Sequence, residues 1–130
     1  MNKIIAVIVQ KEKLILMVRR RQKEGTLHWQ FPSGGINDNE SEFAAAEREV
    51  FEETGVVCKS KEILGQRIHP VTEKEMHYVL CDYVSGEESV KDSEELDMVE
   101  WALPQKIFKV VTSTIFQPVK EWLEKLENNF

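Results

Sequence analysis

Three glutamates near the middle of the chain, Glu49, Glu52 and Glu53, lie three and four residues apart. In a helix this spacing places their side chains on one face. At a separation of roughly 5 Å and an effective dielectric of about 20, each pair of carboxylates repels by about 3 kcal/mol before solvent screening. A hard divalent cation, which prefers oxygen ligands, would relieve this repulsion. The spacing therefore predicts a catalytic metal site.

The negative charge of the chain is concentrated around these glutamates. The net charge is −6, and residues 34–56 alone contain seven acidic residues and one basic residue, Arg48. The other residues contain 16 acids and 16 bases, so their charges cancel. Because affinity for a polyanion depends on neutralising its phosphates, this distribution disfavours a long nucleic acid as the main partner.

The elements that must position the glutamates can be predicted from apolar periodicity. Alternating and β-branched runs predict strands at Ile4–Val9, Leu14–Val18, Val56–Ile68, Met76–Val84 and Met98–Ala102. Helices are predicted from Pro104 to Lys109 and from Thr114 to Glu127. Together with a central helix this order predicts an α/β fold, a mixed sheet with helices on both faces, formed by one domain over residues 1–130.

The central helix has clear signals at both ends. Asn39 or Ser41 can cap its first turn, and Gly55 is expected to end it. Phe43, Ala46 and Val50 recur at three- and four-residue spacing, which predicts the face that packs against the sheet.

Targeting signals are not apparent in the sequence. The apolar run at the start of the chain ends at Gln10 and is too short for a membrane span. Cys58 and Cys81 lie in apolar runs, which indicates buried, unreactive thiols. We expect a cytoplasmic protein without a membrane partner.

The acidic helix and its flanks resemble the signature of a known family. Gly34-x5-Glu40-x7-Arg48-Glu49-Val50-x-Glu52-Glu53-x-Gly55-Val56 matches all nine fixed positions of the Nudix box of MutT-like hydrolases. The resemblance implies an α/β/α sandwich with a loop-helix-loop catalytic motif. It also implies Mg²⁺ or Mn²⁺ as cofactor.

The resemblance assigns roles to the box residues. Glu49, Glu52 and Glu53 occupy the positions of catalytic, metal-binding carboxylates, and Glu52 or Glu53 takes a proton from the attacking water. Arg48 is expected to pair with box carboxylates and hold the helix in place. Many family members add a carboxylate from a distant loop, and Glu95 lies where that acid is often found, with Glu94 and Glu100 as the alternatives.

Substrate contacts are expected outside the helix. The implied substrate-binding residues are Gly34, Gly35, Arg19, Arg20 and His69. The two glycines allow close approach of the backbone, and an arginine is common in the family at the end of the second strand.

The reaction implied is metal-dependent hydrolysis of a pyrophosphate bond in a nucleoside diphosphate linked to another group. The run Trp29-Gln30-Phe31-Pro32-Ser33-Gly34-Gly35-Ile36 resembles the dinucleoside polyphosphate hydrolase and RNA pyrophosphohydrolase branch. The expected substrate is a small nucleotide, either a (deoxy)nucleoside triphosphate or a dinucleoside polyphosphate. An RNA 5′-pyrophosphohydrolase and a non-catalytic nucleotide-binding module are the alternatives, and homodimerisation is left open.

Overall fold

A seven-stranded mixed sheet forms the centre of the computed structural model, which describes residues 2–22 and 25–129. Its strands are β1 (Lys3–Lys11), β2 (Leu14–Arg21), β3 (Leu27–Gln30), β4 (Ser33–Gly35), β5 (Val57–Ile68), β6 (Glu75–Ser85) and β7 (Leu96–Ala102). The helices are α1 (Glu42–Thr54), α2 (Pro104–Val110) and α3 (Gln117–Asn128). Every predicted strand and helix is present, so the predicted α/β class is confirmed.

The sheet follows the order β3-β2-β1-β6-β5, and β1 pairs in parallel with β6 while its other pairings are antiparallel. Near its start β1 pairs with the short strand β4, and near its end it forms a hairpin with β2. Strand β7 pairs with the outer edge of β2. This arrangement brings β4, the end of β2 and the start of β7 to the same region of the sheet.

Alternating residues of β1 divide the core between the two faces of the sheet, because successive strand side chains point to opposite sides. Ile5, Val7 and Val9 belong to a buried cluster with Ala46 and Val50 of α1. On the opposite face the residues between them, Ala6 and Ile8, pack in a second cluster that includes side chains of α2 and α3. The sheet therefore lies between two layers of helices.

Both ends of α1 are capped as the sequence predicts. The Ser41 hydroxyl accepts a hydrogen bond from the backbone N–H of Ala44 at 3.0 Å, so Ser41 rather than Asn39 is the N-cap. Gly55 ends the helix in the left-handed conformation, with φ of 77°. The prediction that Phe43 faces the sheet is wrong, since 38% of it is exposed. Phe43 lies in the first turn, where Ala45 and Ala46 take the inward positions.

Helix α3 begins at Gln117, three residues after the predicted start. Pro118 explains the difference, because a proline ring clashes with the carbonyl four residues earlier and prevents another turn on its N-terminal side. Among residues 2–22 and 25–129, no helix has the length and apolar character needed to cross a membrane.

Candidate catalytic site

Glu53 is the most deeply buried carboxylate of α1, with 4% of the residue exposed. One of its oxygens accepts a hydrogen bond from the backbone N–H of Ser33 in β4 at 3.0 Å, and the other accepts one from Arg20 Nη2. Burial raises the pKa of Glu53, while the charge of Arg20 and the two hydrogen bonds oppose that change. The carboxylate is thus a buried anion that needs a cation beside it.

Glu49 lies directly beneath Gly34. A Cβ atom at Gly34 would be 2.1 to 2.4 Å from the three atoms of the Glu49 carboxylate, so any larger residue would displace that carboxylate from its present position. Burial also raises the pKa of Glu49, and a hydrogen bond of 2.7 Å from Arg48 Nη1 opposes the change. Gly35 differs, since a Cβ there would meet no atom within 4 Å.

Arg48 connects α1 to the segment before it. Its guanidinium forms two hydrogen bonds with Glu40, of 2.7 and 2.8 Å, and donates a third to the backbone carbonyl of Gly35 at 2.8 Å. Arg48 Nη1 contacts Glu49 and also Glu52, the latter at 3.3 Å. The hydrogen bonds from Arg48 to Glu40, followed by one from the Asn37 backbone, lower the pKa of Glu40 to about 2. The structure therefore places Arg48 where the sequence predicts a residue that organises the box.

Glu52 differs from its two neighbours because 57% of its side chain is exposed. Its contact with Arg48 uses one carboxylate oxygen. Since Arg48 Nη1 reaches both Glu49 and Glu52, these two carboxylates are close neighbours on the helix surface.

Arg20 joins the box to Glu95. Besides Glu53, its guanidinium contacts a Glu95 oxygen at 3.3 Å and the Ser33 carbonyl at 3.5 Å. Arg20 Nε is buried without a hydrogen-bond partner. The structure thus brings Glu95 to the same cation as Glu53, while Glu100, another acid in this region, pairs with Lys106.

Arg19 lies apart from this group because neighbouring strand residues point to opposite faces. Its guanidinium forms a two-point ion pair with Asp97 at 2.8 and 2.7 Å and lies over the ring of Trp29. The structure does not bring Arg19 to the carboxylates, and its role in substrate binding stays a prediction.

The loop before β7 is fastened to the end of α1. The backbone N–H groups of Ser89 and Lys91 donate to the carbonyls of Thr54 and Glu53, at 2.9 and 3.1 Å. These bonds satisfy carbonyls that a helix terminus leaves without partners. They also fix the course of the loop that leads to Glu95.

The donor chemistry fits a hard divalent cation, although no three His, Cys, Asp or Glu side chains converge at metal distance within the described part of the chain. Glu49 and Glu53 are each compensated here by a guanidinium, from Arg48 and Arg20. Both carboxylates are partly or deeply buried anions whose pKa burial raises. The carboxylate oxygens of Glu49 and Glu53 are the donor type that Mg²⁺ and Mn²⁺ prefer.

An open cleft of about 410 Å³ lies along the α3 side of the sheet and meets the carboxylates of α1 through Arg20 and Gly34, which contact Glu53 and Glu49. Arg20, Ser33, Gly34 and Glu95 line one part of it. Its floor is apolar and includes Ala6, Phe31, Met76, Tyr78, Ile115 and Phe116. The rings of Tyr78 and Phe116 stack with their centroids 4.6 Å apart. His69, a predicted substrate contact, also lines the cleft.

Two contributors to the site were not assigned from the sequence. The Ser33 N–H is a backbone donor, which every non-proline residue has, so its role depends on where β4 lies. Phe116 precedes α3 and reaches Tyr78 only through tertiary packing. The aromatic residue just before a Gln-Pro helix start is a weak signal that cannot show its partner.

Comparison with known proteins identifies the family that shares these sequence features. The sequence profile of the NUDIX domain family matches residues 2–126. An RNA pyrophosphohydrolase of Histophilus somni is 47% identical over 58 residues, 45% of this chain and 29% of that protein. The mRNA-decapping protein g5R of African swine fever virus is 39% identical over 67 residues, 52% of this chain and 25% of that protein. The matches thus cover less than a third of each relative.

Solved structures agree with the fold. A NUDIX hydrolase from Nitrosomonas europaea superposes with a TM-score of 0.81 at 19% identity, covering 98% of this chain and 72% of that one. A MutT protein from Methanosarcina mazei has a TM-score of 0.70 at 26% identity, covering 98% and 94%. Since the family profile spans nearly the whole chain and the carboxylates occupy the predicted helix face, this protein belongs to the NUDIX domain family.

Proposed function

We propose that this protein hydrolyses a pyrophosphate bond in a nucleotide with the help of Mg²⁺ or Mn²⁺. The observation that carries the proposal is that Glu53 and Glu95 share Arg20, which lines the cleft, while Glu49 of the same helix lies against Gly34, which also lines it. Glu49, Glu52, Glu53 and Glu95 would hold the cation. A bound divalent cation neutralises phosphate charge and lowers the pKa of water.

The residues around the carboxylates then have distinct tasks. Arg48 fixes α1 against the loop through Glu40 and the Gly35 carbonyl, which keeps the carboxylates in register with the cleft. Arg20 lies between the box and the cleft, where its guanidinium can bind a substrate phosphate. Gly34 leaves space for Glu49.

Glu52 is the better placed of the two candidate general bases. Both oxygens of Glu53 already accept hydrogen bonds, from Ser33 and Arg20. Glu52 is mostly exposed, with a single contact of 3.3 Å to Arg48. A carboxylate that is open to water and fixed to a rigid helix can take a proton from an attacking water molecule.

The lining of the cleft suits the nucleotide part of the substrate. Its apolar floor suits a flat base, whose faces are apolar, and Phe116, which stacks on the buried Tyr78 ring, is a partly exposed aromatic side chain there. A nucleoside triphosphate and a dinucleoside polyphosphate both supply such a base. The relatives described as RNA pyrophosphohydrolase and mRNA-decapping protein favour the 5′ end of an RNA as the second candidate substrate.

A substrate panel tests this proposal. Nucleoside triphosphates, dinucleoside polyphosphates and 5′-triphosphorylated RNA are incubated with the protein and Mg²⁺ or Mn²⁺, and the products are separated. We expect cleavage of a phosphoanhydride bond in at least one class, with no activity in excess EDTA. Metal-dependent nucleotide binding with no product after hours would contradict the enzyme and support a non-catalytic binding module.

A further inference from the structure

The part of the cleft remote from the carboxylates is positively charged. Arg67 of β5 lines it together with His69, Thr72 and Lys74 of the turn between β5 and β6. Among the described residues that line the cleft, Glu95 is the only acid, and it lies beside Arg20. No carboxylate therefore lines the cleft at that end, although Glu73 and Glu75 flank Lys74 in the chain.

Arg67 is held rigidly but is not neutralised. Its Nε donates to the Tyr78 hydroxyl at 3.0 Å, and its Nη2 donates to the backbone carbonyl of Thr114 at 2.8 Å. The guanidinium also packs near the rings of Tyr78 and Phe116, at 5.7 and 5.5 Å from their centroids. No acidic group of residues 2–22 and 25–129 forms a salt bridge with it. Neither hydrogen bond uses Nη1. The N–H groups of Nη1 are therefore available to a ligand in the cleft.

His69 adds a second donor of fixed direction. Its Nδ1 accepts hydrogen bonds from the backbone N–H groups of Val71 and Thr72, at 3.1 and 3.3 Å. Because Nδ1 is an acceptor, the ring proton must be on Nε2. Burial, followed by the charge of Arg67, lowers the pKa of His69, which favours this neutral form. The carboxylate of the nearby Glu75 forms a hydrogen bond of 2.6 Å with His77 Nε2.

The strand pairing sets the distance between the two ends of the cleft. Gly35 of β4 pairs with Ile4, Ile4 pairs with Met76, and Met76 pairs with Arg67. Three strand spacings separate Gly35 from Arg67, a distance of about 14 Å. This backbone separation is long enough for one nucleoside and part of its 5′ polyphosphate to lie between Gly34 and Arg67, both of which line the cleft.

We propose that Arg67, His69 and Lys74 form a second anion subsite, which binds a phosphate on the 3′ side of the substrate nucleoside. The proposal rests on the proposed function in one respect, that the 5′ polyphosphate lies at α1. The phosphate can come from a terminal 3′-phosphate or from the diester that links the first nucleotide to the next. Both present oxygens that suit a guanidinium fork and neutral N–H donors.

Equilibrium binding tests the subsite without turnover. Calorimetry in Mg²⁺ compares adenosine and guanosine 5′-monophosphates, their 3′,5′-bisphosphates, and dinucleotides with a 5′-phosphate and one internal diester. Hydrogen bonds to charged groups predict that the 3′-phosphate lowers Kd at least tenfold. Arg67→Gln and Lys74→Gln are expected to reduce this ratio of Kd values towards one. Lys59→Gln removes a charge from an exposed position of the same strand, outside the cleft lining, and should retain the ratio.

The arms of the experiment distinguish the source of the phosphate. Tighter binding of both ligand types supports a subsite for either phosphate, and tighter binding of the bisphosphates alone supports a terminal 3′-phosphate. Equal Kd values for all ligands would overturn the proposal, as would a gain for the dinucleotides that survives in both variants, since the second base would then be its source. The ratio does not depend on catalysis, so an inactive protein in the substrate panel would refute the proposed function separately.

Discussion

Replacing Glu52 by Gln is expected to lower kcat by about 10² to 10⁴, the range that a positioned general base contributes. The side chain is mostly exposed, and its contact is a single ion pair of 3.3 Å with Arg48. Exposed pairs of this kind contribute about 1 kcal/mol or less to stability. The variant should therefore unfold at nearly the same temperature as the parent. Steady-state kinetics on the best substrate of the panel and thermal unfolding measure the two effects.

Glu47→Gln is the matched control for this substitution. Glu47 lies on the same helix and accepts a hydrogen bond from the Ser60 N–H at 2.9 Å, which an amide oxygen can also accept. The Glu47→Gln substitution removes the same charge from a side chain that contacts β5. If Glu52→Gln hydrolyses nucleotides as fast as Glu47→Gln, Glu52 is not the base.

Gly34→Ala should damage activity while leaving the fold intact. The added Cβ would overlap the Glu49 carboxylate, which is the end of a flexible side chain and can move aside. A displacement of about 1 Å at a catalytic centre can cost about 100-fold in rate. We expect a loss of kcat/KM of that order and a higher concentration of Mn²⁺ for half-maximal activity. The free energy of unfolding should change by about 1 kcal/mol or less.

Gly35→Ala gives the comparison that isolates this effect. It makes the same chemical change one residue later, where the new Cβ has open space. Its activity should stay within about threefold of the parent, since substitutions without new contacts usually change free energies by less than about 0.5 kcal/mol. Equal losses in both variants would show that the loop backbone, not the room for Glu49, matters at this position.

The central helix could be predicted well from the sequence because its signals are local. Ser41 and Gly55 cap it as expected, and the spacing of the glutamates placed them on one face. The prediction that Phe43 points inward is wrong. Apolar periodicity cannot show whether the sheet extends far enough to cover the first turn of the helix. The predicted start of α3 is too early because the apolar stripe begins at Ile115, before the point at which Pro118 prevents another helical turn.

The rest of the site depends on contacts between distant parts of the chain. Arg19 and Arg20 are adjacent and chemically identical in sequence, and only the pairing of β2 decides that Arg20 meets Glu53 while Arg19 meets Asp97. Likewise, the Arg67 guanidinium is positioned by Thr114 and Phe116, which lie far from it in the sequence. Register and tertiary packing fix such partners, and neither can be read from local spacing.

Direct measurement of Mn²⁺ binding shows whether the carboxylates of α1 hold a divalent cation. Electron paramagnetic resonance counts free Mn²⁺ during a titration of the parent and of a variant in which Glu49, Glu52 and Glu53 are all replaced by Gln. We predict saturable binding by the parent, with a rise in melting temperature because the ion binds the native state, and loss of both effects in the variant. Absence of saturable binding in the parent, or equal binding by a folded variant, would show that these carboxylates do not hold the ion.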